Sequence, residues 1–202
     1  HVDTSWKLHI ICDNVSDETF EMVENVAGWV SPTIERTNFG SGAQSFNRAL
    51  DLAVKIDEDD DLVYFVEDDY LHKRGWVGIL RDGFEVGADY LALYDHPDKY
   101  INAVDGGNPQ VEDGGEVTRV LLGNLCHWKL SNSTTMSFAS RVKTLKEDEA
   151  ILRKHTSGTY PNDYAMFTEL RERGRSLVTS IPGWATHGET KWLSPLTDWE
   201  AV

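Results

Sequence analysis

The alternation of short apolar runs with amphipathic segments most constrains how this chain can fold. The runs LHIIC (8–12) and LVYFV (62–66) have the length of β-strands and are bounded by polar residues. A glycine-bearing turn and a helical pattern lie between them, with Phe46, Leu50 and Val54 at helical spacing. The alternation predicts a single α/β domain over residues 1–202, with a mixed, mostly parallel sheet and helices on both faces. Because LVYFV is continuously apolar, we expect it to be a strand covered on both faces.

Charge and cysteine usage exclude several classes of protein. The chain has 34 acidic and 19 basic residues and a formal net charge of −15, which would repel a phosphate backbone, so we expect no nucleic-acid partner. The apolar runs are far shorter than the roughly 20 residues of a membrane span, so we expect no transmembrane segment. Cys12 and Cys126 lack the spacing of a metal site. They are expected to be buried thiols in a reducing compartment, which favours a cytoplasmic location.

Three consecutive carboxylates, Glu67, Asp68 and Asp69, directly follow the apolar run LVYFV. In open parallel α/β sheets, ligands bind beyond the carboxyl ends of the strands, which makes this triplet a candidate site. Side chains alternate along a strand, so Glu67 and Asp69 should point one way and Asp68 the other. A hard divalent cation such as Mg²⁺ or Mn²⁺ would relieve their mutual repulsion and leave coordination positions open for phosphate oxygens. The alternative is an acidic surface turn without function.

Five segments, in order, resemble the nucleotide-sugar-dependent glycosyltransferases of the GT-A fold, and most closely their family 2 group. These segments are CDNVSDET (12–19), NFGSGAQSFNRAL (38–50), EDD (67–69), YPNDYAMFTELRERG (160–174) and IPGWATHGE (181–189). The resemblance implies a Rossmann-like domain with a nucleotide-binding half (1–100) and an acceptor-binding half (101–202). It also implies a nucleoside-diphosphate sugar as donor and a saccharide or other hydroxyl compound as acceptor.

The resemblance also implies a role for individual residues. Asp163 would be the catalytic base of an inverting, metal-dependent transfer, and Asp68 would contact the ribose or diphosphate. The metal, Mn²⁺ or Mg²⁺, would be held by Asp69 with Glu67 and His187. Asp13 would lie near the nucleobase. The substrate-binding residues expected from the glycine-bearing turn are Asn38, Gly40 and Gln44.

Two further residues are candidate sugar contacts. Thr134 belongs to the hydroxyl-rich stretch SNSTTMSFASR, which could bind sugar or phosphate, although its β-propensity favours a strand. Trp184 could stack on the apolar face of a sugar or pack in the core. The segment YDHPDKY (94–100) is a rival metal site within the chain, but its proline favours a loop near the acceptor.

Several assignments have a structural alternative. Asn162 or Asp163 could simply cap a helix, His187 could be a hydrogen-bonded loop residue, and Asp13 could be a turn former. The chain also departs from family 2 because only six residues precede KLHIIC, where the family has an earlier strand and helix. The resemblance therefore implies that the first strand unit is missing, which would expose two sheet edges. The alternative functions are a non-catalytic carbohydrate-binding module and a nucleotidyltransferase.

Overall fold

A computed structural model describes residues 6–108 and 115–202. Within these ranges the chain forms ten β-strands and five α-helices. The strands are β1 (His9–Asp13), β2 (Thr33–Thr37), β3 (Leu62–Phe65), β4 (Tyr70–His72), β5 (Tyr90–Ala92), β6 (Val120–Leu122), β7 (His127–Leu130), β8 (Phe138–Arg141), β9 (Leu177–Ile181) and β10 (Ala185–His187). The helices are α1 (Asp17–Ala27), α2 (Gly42–Ala53), α3 (Trp76–Glu85), α4 (Val142–His155) and α5 (Asp163–Glu172).

Six strands form a mixed sheet in the order β3-β8-β5-β9-β7-β6. The α/β class with a mixed sheet is confirmed, as in a single Rossmann-like domain. The expected excess of parallel pairs is not found, because β5 and β9 are parallel while the other four neighbouring pairs are antiparallel. Strands β7 and β8 run against β3, β5 and β9, so each is antiparallel to its neighbours. The carboxyl ends of β3, β5 and β9 consequently lie at one edge of the sheet.

Side chains on the two faces of this sheet belong to two separate cores. Tyr90 and Phe138 pack with residues of α2, α4 and α5 on one face. Their neighbours Leu91 and Ala139 pack with α3 on the other face, as the period of two in a strand requires. Helices on both faces were predicted, and this prediction is confirmed. The expectation that LVYFV is covered on both faces is wrong. Among the strands of the described ranges, β3 lies at the edge of the sheet and pairs with β8 alone, and Leu62, Val63 and Tyr64 are only partly buried.

Two smaller strand pairs lie outside the six-stranded sheet. The parallel pair β1–β2 is tied to α2 by an ion pair between Glu35 and Arg48, whose Oε2 and Nη2 atoms are 2.7 Å apart. The antiparallel pair β4–β10 aligns Tyr70 with His187. It thereby joins the segment after β3 to the segment after β9, which are more than a hundred residues apart in the chain.

No helix in the described part of the chain combines the length and the apolar character needed to cross a bilayer.

Candidate functional site

The candidate site lies at the edge of the sheet where β3, β5 and β9 end. The acidic turn, defined as Glu67, Asp68 and Asp69, follows β3. The segment 94–100 follows β5, and β9 leads through residues 182–184 into β10. The loop 131–137 approaches the same edge because it precedes β8, which runs in the opposite direction. Four segments that are far apart in the sequence therefore meet at one place.

The acidic turn carries negative charge that the protein does not neutralise. Glu67 is exposed as a whole residue, but desolvation of its carboxyl by the surrounding protein and, to a smaller extent, the charges of Asp69, Asp68 and Asp163 together raise its pKa to about 7. The backbone N–H of Glu67 donates to Ser137 Oγ at 3.3 Å, which fixes the start of the turn against the loop before β8. Because Asp163 contributes to this shift, its carboxylate lies close enough to Glu67 to act on it electrostatically.

Asp69 and His187, two of the metal ligands that the resemblance implied, form a pair with each other. His187 Nε2 lies 2.8 Å from Asp69 Oδ2, and the backbone N–H of Gly188 donates to the carbonyl of Asp69 at 2.7 Å. The backbone N–H of Glu189 donates to His187 Nδ1 at 3.1 Å. Since Nδ1 accepts this hydrogen bond, the proton of the neutral ring is on Nε2 and is donated to Asp69.

These residues fit a divalent cation in part. Glu67 and Asp69 offer the carboxylate oxygens that Mg²⁺ and Mn²⁺ prefer, and a cation would offset the charge that raises the pKa of Glu67. His187 does not offer a free lone pair at Nε2 in this tautomer, so it orients Asp69 here. Within residues 6–108 and 115–202, no three histidine, cysteine or acidic side chains are gathered closely enough to hold a metal ion. The carboxylates are thus the part of the predicted ligand set that fits.

Asp163 is the first residue of α5, but it does not cap this helix. The cap is Asn162, whose side-chain Oδ1 accepts from the backbone N–H of Ala165 at 3.1 Å. The backbone N–H groups of Thr134 and Thr135 instead both donate to Asp163 Oδ2 at 2.8 Å. No hydrogen bond to Oδ1 is formed within the described part of the chain. One oxygen of Asp163 is therefore fixed, and the other remains open to a ligand.

The expected strand through Ser133, Thr134 and Thr135 is wrong. Thr135 has φ 49° and Met136 has φ 62°, and two consecutive residues in the left-handed region break a strand. The turn that they make directs the backbone N–H groups of Thr134 and Thr135 towards Asp163. The side chain of Thr135 hydrogen-bonds the hydroxyl of Tyr70 in β4. The loop thus links Asp163 to the strand that follows the acidic turn.

A cavity of about 540 Å³ opens beside Asp163. Its wall includes Tyr94, Asp95, Asp98, Thr134, Asp163 and Trp192. The segment 94–100 forms much of this wall through a turn of 3₁₀-helix at Pro97–Tyr100, in line with its interpretation as a loop beside the substrate. Chains of aromatic contacts connect the cavity to the acidic turn, with ring centroids 5.5 Å apart for Tyr70 and Tyr94 and 5.6 Å apart for Tyr70 and His187.

Two lysines that sequence reasoning missed also line the cavity. Lys99 and Lys129 are only 3% and 2% exposed. Lys129 Nζ lies 2.8 Å from Asp95 Oδ1, and Lys99 Nζ donates to Asn132 Oδ1 and, at 2.7 Å, to Ser133 Oγ. Burial lowers the pKa of Lys99, and nearby carboxylates partly offset this lowering. The only signal in the sequence was Lys129 within the apolar stretch HWKL, a position where a charged residue needs a buried partner.

The residues that were predicted to bind the nucleotide lie beside the β1–β2 pair, in the segments that follow these two strands. Burial opposes ionisation of Asp13, but hydrogen bonds from Phe39, Thr37 and Ser41 outweigh it and lower the pKa of this carboxyl. Asp13 is therefore a turn former, accepting from the backbone N–H of Phe39 at 2.6 Å. Asn38, Gly40 and Gln44 are exposed around the turn that Asp13 holds, where Gly40 has φ 62°. In the described residues, no hydrogen bond or ion pair joins this turn to the acidic turn.

Asp68 and Trp184 also remain apart from the cavity. Asp68 is exposed and makes no hydrogen bond or ion pair within the described ranges, so its carboxylate faces solvent. Trp184 packs against the core that contains α3, and Lys73 Nζ lies 5.3 Å from the centre of its ring. Trp184 does not line the cavity beside Asp163, whereas Trp192 does.

No protein-family model matches the chain, and the comparison with curated proteins finds no match either. The functional assignment therefore depends on the site itself.

Proposed function

We propose that this protein is a metal-dependent glycosyltransferase that moves a sugar from a nucleoside-diphosphate sugar to an acceptor hydroxyl with inversion. The observation that carries the proposal is the position of Asp163 between the acidic turn and the cavity. The charge of Asp163 helps to raise the pKa of Glu67 in the acidic turn. It also opposes the lowering of the pKa of Lys99 in the cavity wall. A base at this position can face a donor held at the acidic turn and an acceptor held in the cavity.

Asp163 has the properties that a general base needs. Two backbone N–H groups hold its Oδ2, so the carboxylate is fixed in direction before any substrate arrives. Its place in the first turn of α5 favours the ionised form, because the amino end of a helix carries partial positive charge. The open Oδ1 could then accept the proton of the attacking hydroxyl.

The acidic turn would serve the departing diphosphate. A divalent cation held by Glu67 and Asp69 would neutralise negative charge on the leaving group. His187 donates to Asp69 and so fixes the direction of that carboxylate. Asp68, which faces solvent, is open to the ribose or diphosphate of the donor, and Asn38, Gly40 and Gln44 would extend the nucleotide site around Asp13. The two unpaired thiols accord with a cytoplasmic location.

The proposal can be tested by thermal denaturation with UDP-, GDP- and dTDP-sugars, each with and without Mn²⁺. A ligand that binds only the folded protein raises the midpoint of unfolding by mass action. We expect one nucleotide to stabilise the protein only when Mn²⁺ is present. Asp69→Asn should abolish this effect, whereas Asp59→Asn, which changes an exposed aspartate outside the site, should preserve it.

Turnover gives the second half of this test. In the presence of the stabilising donor and a suitable acceptor, Asp163→Asn should lower kcat by about 10²–10⁴-fold, the usual contribution of a general base, while leaving the metal-dependent stabilisation in place. Absence of stabilisation with every pair of nucleotide and metal would contradict the proposal. It would favour a non-catalytic carbohydrate-binding module if sugars alone still bind. Transfer of a nucleotidyl group would favour the nucleotidyltransferase.

A further inference from the structure

We propose that the cavity beside Asp163 binds a saccharide ring that is neutral or carries an amino group, and that it rejects sugars bearing a carboxylate. This inference rests on the proposed function, because it names the class of acceptor whose hydroxyl would reach Asp163. Selective binding of such a sugar requires a cavity of suitable size, wall charges that disfavour anions, and polar atoms without hydrogen-bond partners in the protein. Each of these three features is present.

The size of the cavity suits a small polar ligand. Its volume of about 540 Å³ lies within the range of roughly 300–1,000 Å³ that is usual for small-molecule sites. Tyr94, Tyr164 and Trp192 contribute aromatic surface to a wall whose other side chains are mostly polar. Such a combination suits a sugar, which has C–H faces and a rim of hydroxyl groups.

The charges in the wall disfavour an anion. Three carboxylates line the cavity, those of Asp95, Asp98 and Asp163, against the two ammonium groups of Lys99 and Lys129. The ammonium groups already have partners inside the protein. Lys129 is paired with Asp95 and donates to the hydroxyl of Tyr100 at 3.1 Å, and Lys99 donates to Asn132 and Ser133. An acidic ligand would have to displace these partners and face the remaining carboxylates.

The polar atoms that lack partners indicate which groups a ligand should carry. Thr134 is 4% exposed and lines the cavity, yet its Oγ1 makes no hydrogen bond within residues 6–108 and 115–202. A buried hydroxyl without a partner is costly, and it can both donate to and accept from a sugar hydroxyl. Because this hydroxyl is neutral, it favours a polar ligand independently of the charge of the carboxylates.

The carboxylate of Asp98 favours a ligand that carries a hydrogen-bond donor. Its Oδ1 lies 2.7 Å from His96 Nδ1, but this nitrogen accepts the backbone N–H of Asp98 at 3.1 Å. In a neutral His96 ring the nitrogen therefore has no proton to give to Oδ1, and this oxygen lacks a hydrogen bond in the described part of the chain. Asp98 lines the cavity, and its carboxylate would accept from a hydroxyl group on the ligand or, in a stronger hydrogen bond, from an ammonium group.

The test measures binding of three methyl glycosides that share one ring, those of glucose, glucosamine and glucuronic acid, by ligand-observed NMR and calorimetry without donor or metal. We expect the glucosamine derivative to bind at least as tightly as the glucose derivative, and the glucuronic acid derivative to bind at least about tenfold more weakly, which corresponds to about 1.4 kcal/mol. Equal or tighter binding of the acidic sugar would overturn the inference. Failure of all three to bind would overturn it as well.

Substitutions in the cavity wall test whether the sugars bind in this cavity. Thr134→Val should weaken binding of the neutral sugar severalfold, whereas Thr168→Val should leave it unchanged, since Thr168 Oγ1 is also buried without a partner but lies outside this cavity. Asp98→Asn should reduce the preference for the amino sugar. If neither Thr134→Val nor Asp98→Asn changes binding, the sugars bind elsewhere and the inference is wrong. Sugar binding in the expected order without stabilisation by any sugar nucleotide and Mn²⁺ would instead refute the transferase and leave the cavity assignment standing.

Discussion

The acidic turn and the cavity wall both contain several carboxylates, but these carboxylates differ in their exposure and in their cationic partners. In the turn, Glu67 and Asp68 are exposed and have no cationic partner within the described residues. In the cavity wall, Asp95 is 1% exposed; Lys129 neutralises its charge, and the hydroxyl of Tyr100 donates to its Oδ2 at 2.6 Å. Glu67 and Asp68 thus have no counterion among the described residues, whereas the buried Asp95 has one.

The difference teaches what each region can do. Buried charges with internal partners are fixed in place and hold the wall of a site in one shape. Exposed charges without partners contribute little to the fold and remain free to bind a cation. If the comparison is right, loss of the buried Lys129–Asp95 pair should act mainly on folding, and substitutions in the acidic turn should act mainly on ligand and pH dependence.

The largest effect is expected for Lys129→Met. Loss of this ammonium would leave Asp95 buried without its counterion, so the free energy of unfolding should fall by about 3–5 kcal/mol. Urea denaturation followed by tryptophan fluorescence measures this change. The matched control is Lys146→Met, because Lys146 Nζ lies 2.8 Å from Asp59 Oδ1 in a pair that is substantially exposed. The control should cost less than about 1 kcal/mol. Similar losses for both variants would contradict the comparison.

A smaller effect should appear in the pH dependence of stability. The pKa of Glu67 is raised from 4.5 to about 7 in the folded protein, so between these values the folded state binds more protons than the unfolded state. Stability should therefore fall as the pH rises from about 4.5 to about 7. Glu67→Gln should reduce this fall, and Mn²⁺ should reduce it in the original protein if the turn binds the cation.

Thermal midpoints measured across this range of pH provide the readout. The control is Glu18→Gln, which removes an exposed carboxylate from the first turn of α1. If the Glu67→Gln and Glu18→Gln variants lose stability equally with rising pH, the charge of the acidic turn is not the cause.

The class of the fold could be predicted from the sequence because it depends on local patterns. Helices α2 and α5 begin at the side-chain caps Ser41 and Asn162, and β1 and β3 coincide with the first two apolar runs. The direction of β7 and β8 could not be predicted, since the pairing of strands depends on contacts between distant segments. The burial expected for β3 failed for the same reason, because an apolar run does not reveal whether a strand is central or at an edge.

The residues of the candidate site differ in the same way: some could be predicted from the sequence, and others depend on tertiary contacts. Asp69 and His187 could be paired from the sequence only through the resemblance, and the register of β4 and β10 places them together. The loop at Thr134 could not be predicted, because threonine favours strands and only tertiary contacts hold Thr135 in the left-handed region. Lys99 was missed because its partners Asn132 and Ser133 lie more than thirty residues away and belong to this loop.

The smallest effect is expected for the Asp69–His187 pair, and it tests whether the acidic turn is as weakly coupled to the fold as its exposure indicates. The side chains of His187 and Asp69 are 25% and 49% exposed, so a double-mutant cycle with His187→Gln and Asp69→Asn should give a coupling energy of about 0.2–1 kcal/mol. Urea denaturation of the four proteins measures it. A coupling near 3 kcal/mol would place this pair with the buried charges of the cavity wall. Because a cation bound by Asp69 would compete with the proton donated by His187, we also expect Mn²⁺ to lower the coupling energy. An increase on addition of Mn²⁺ would mean that both side chains bind the ion directly.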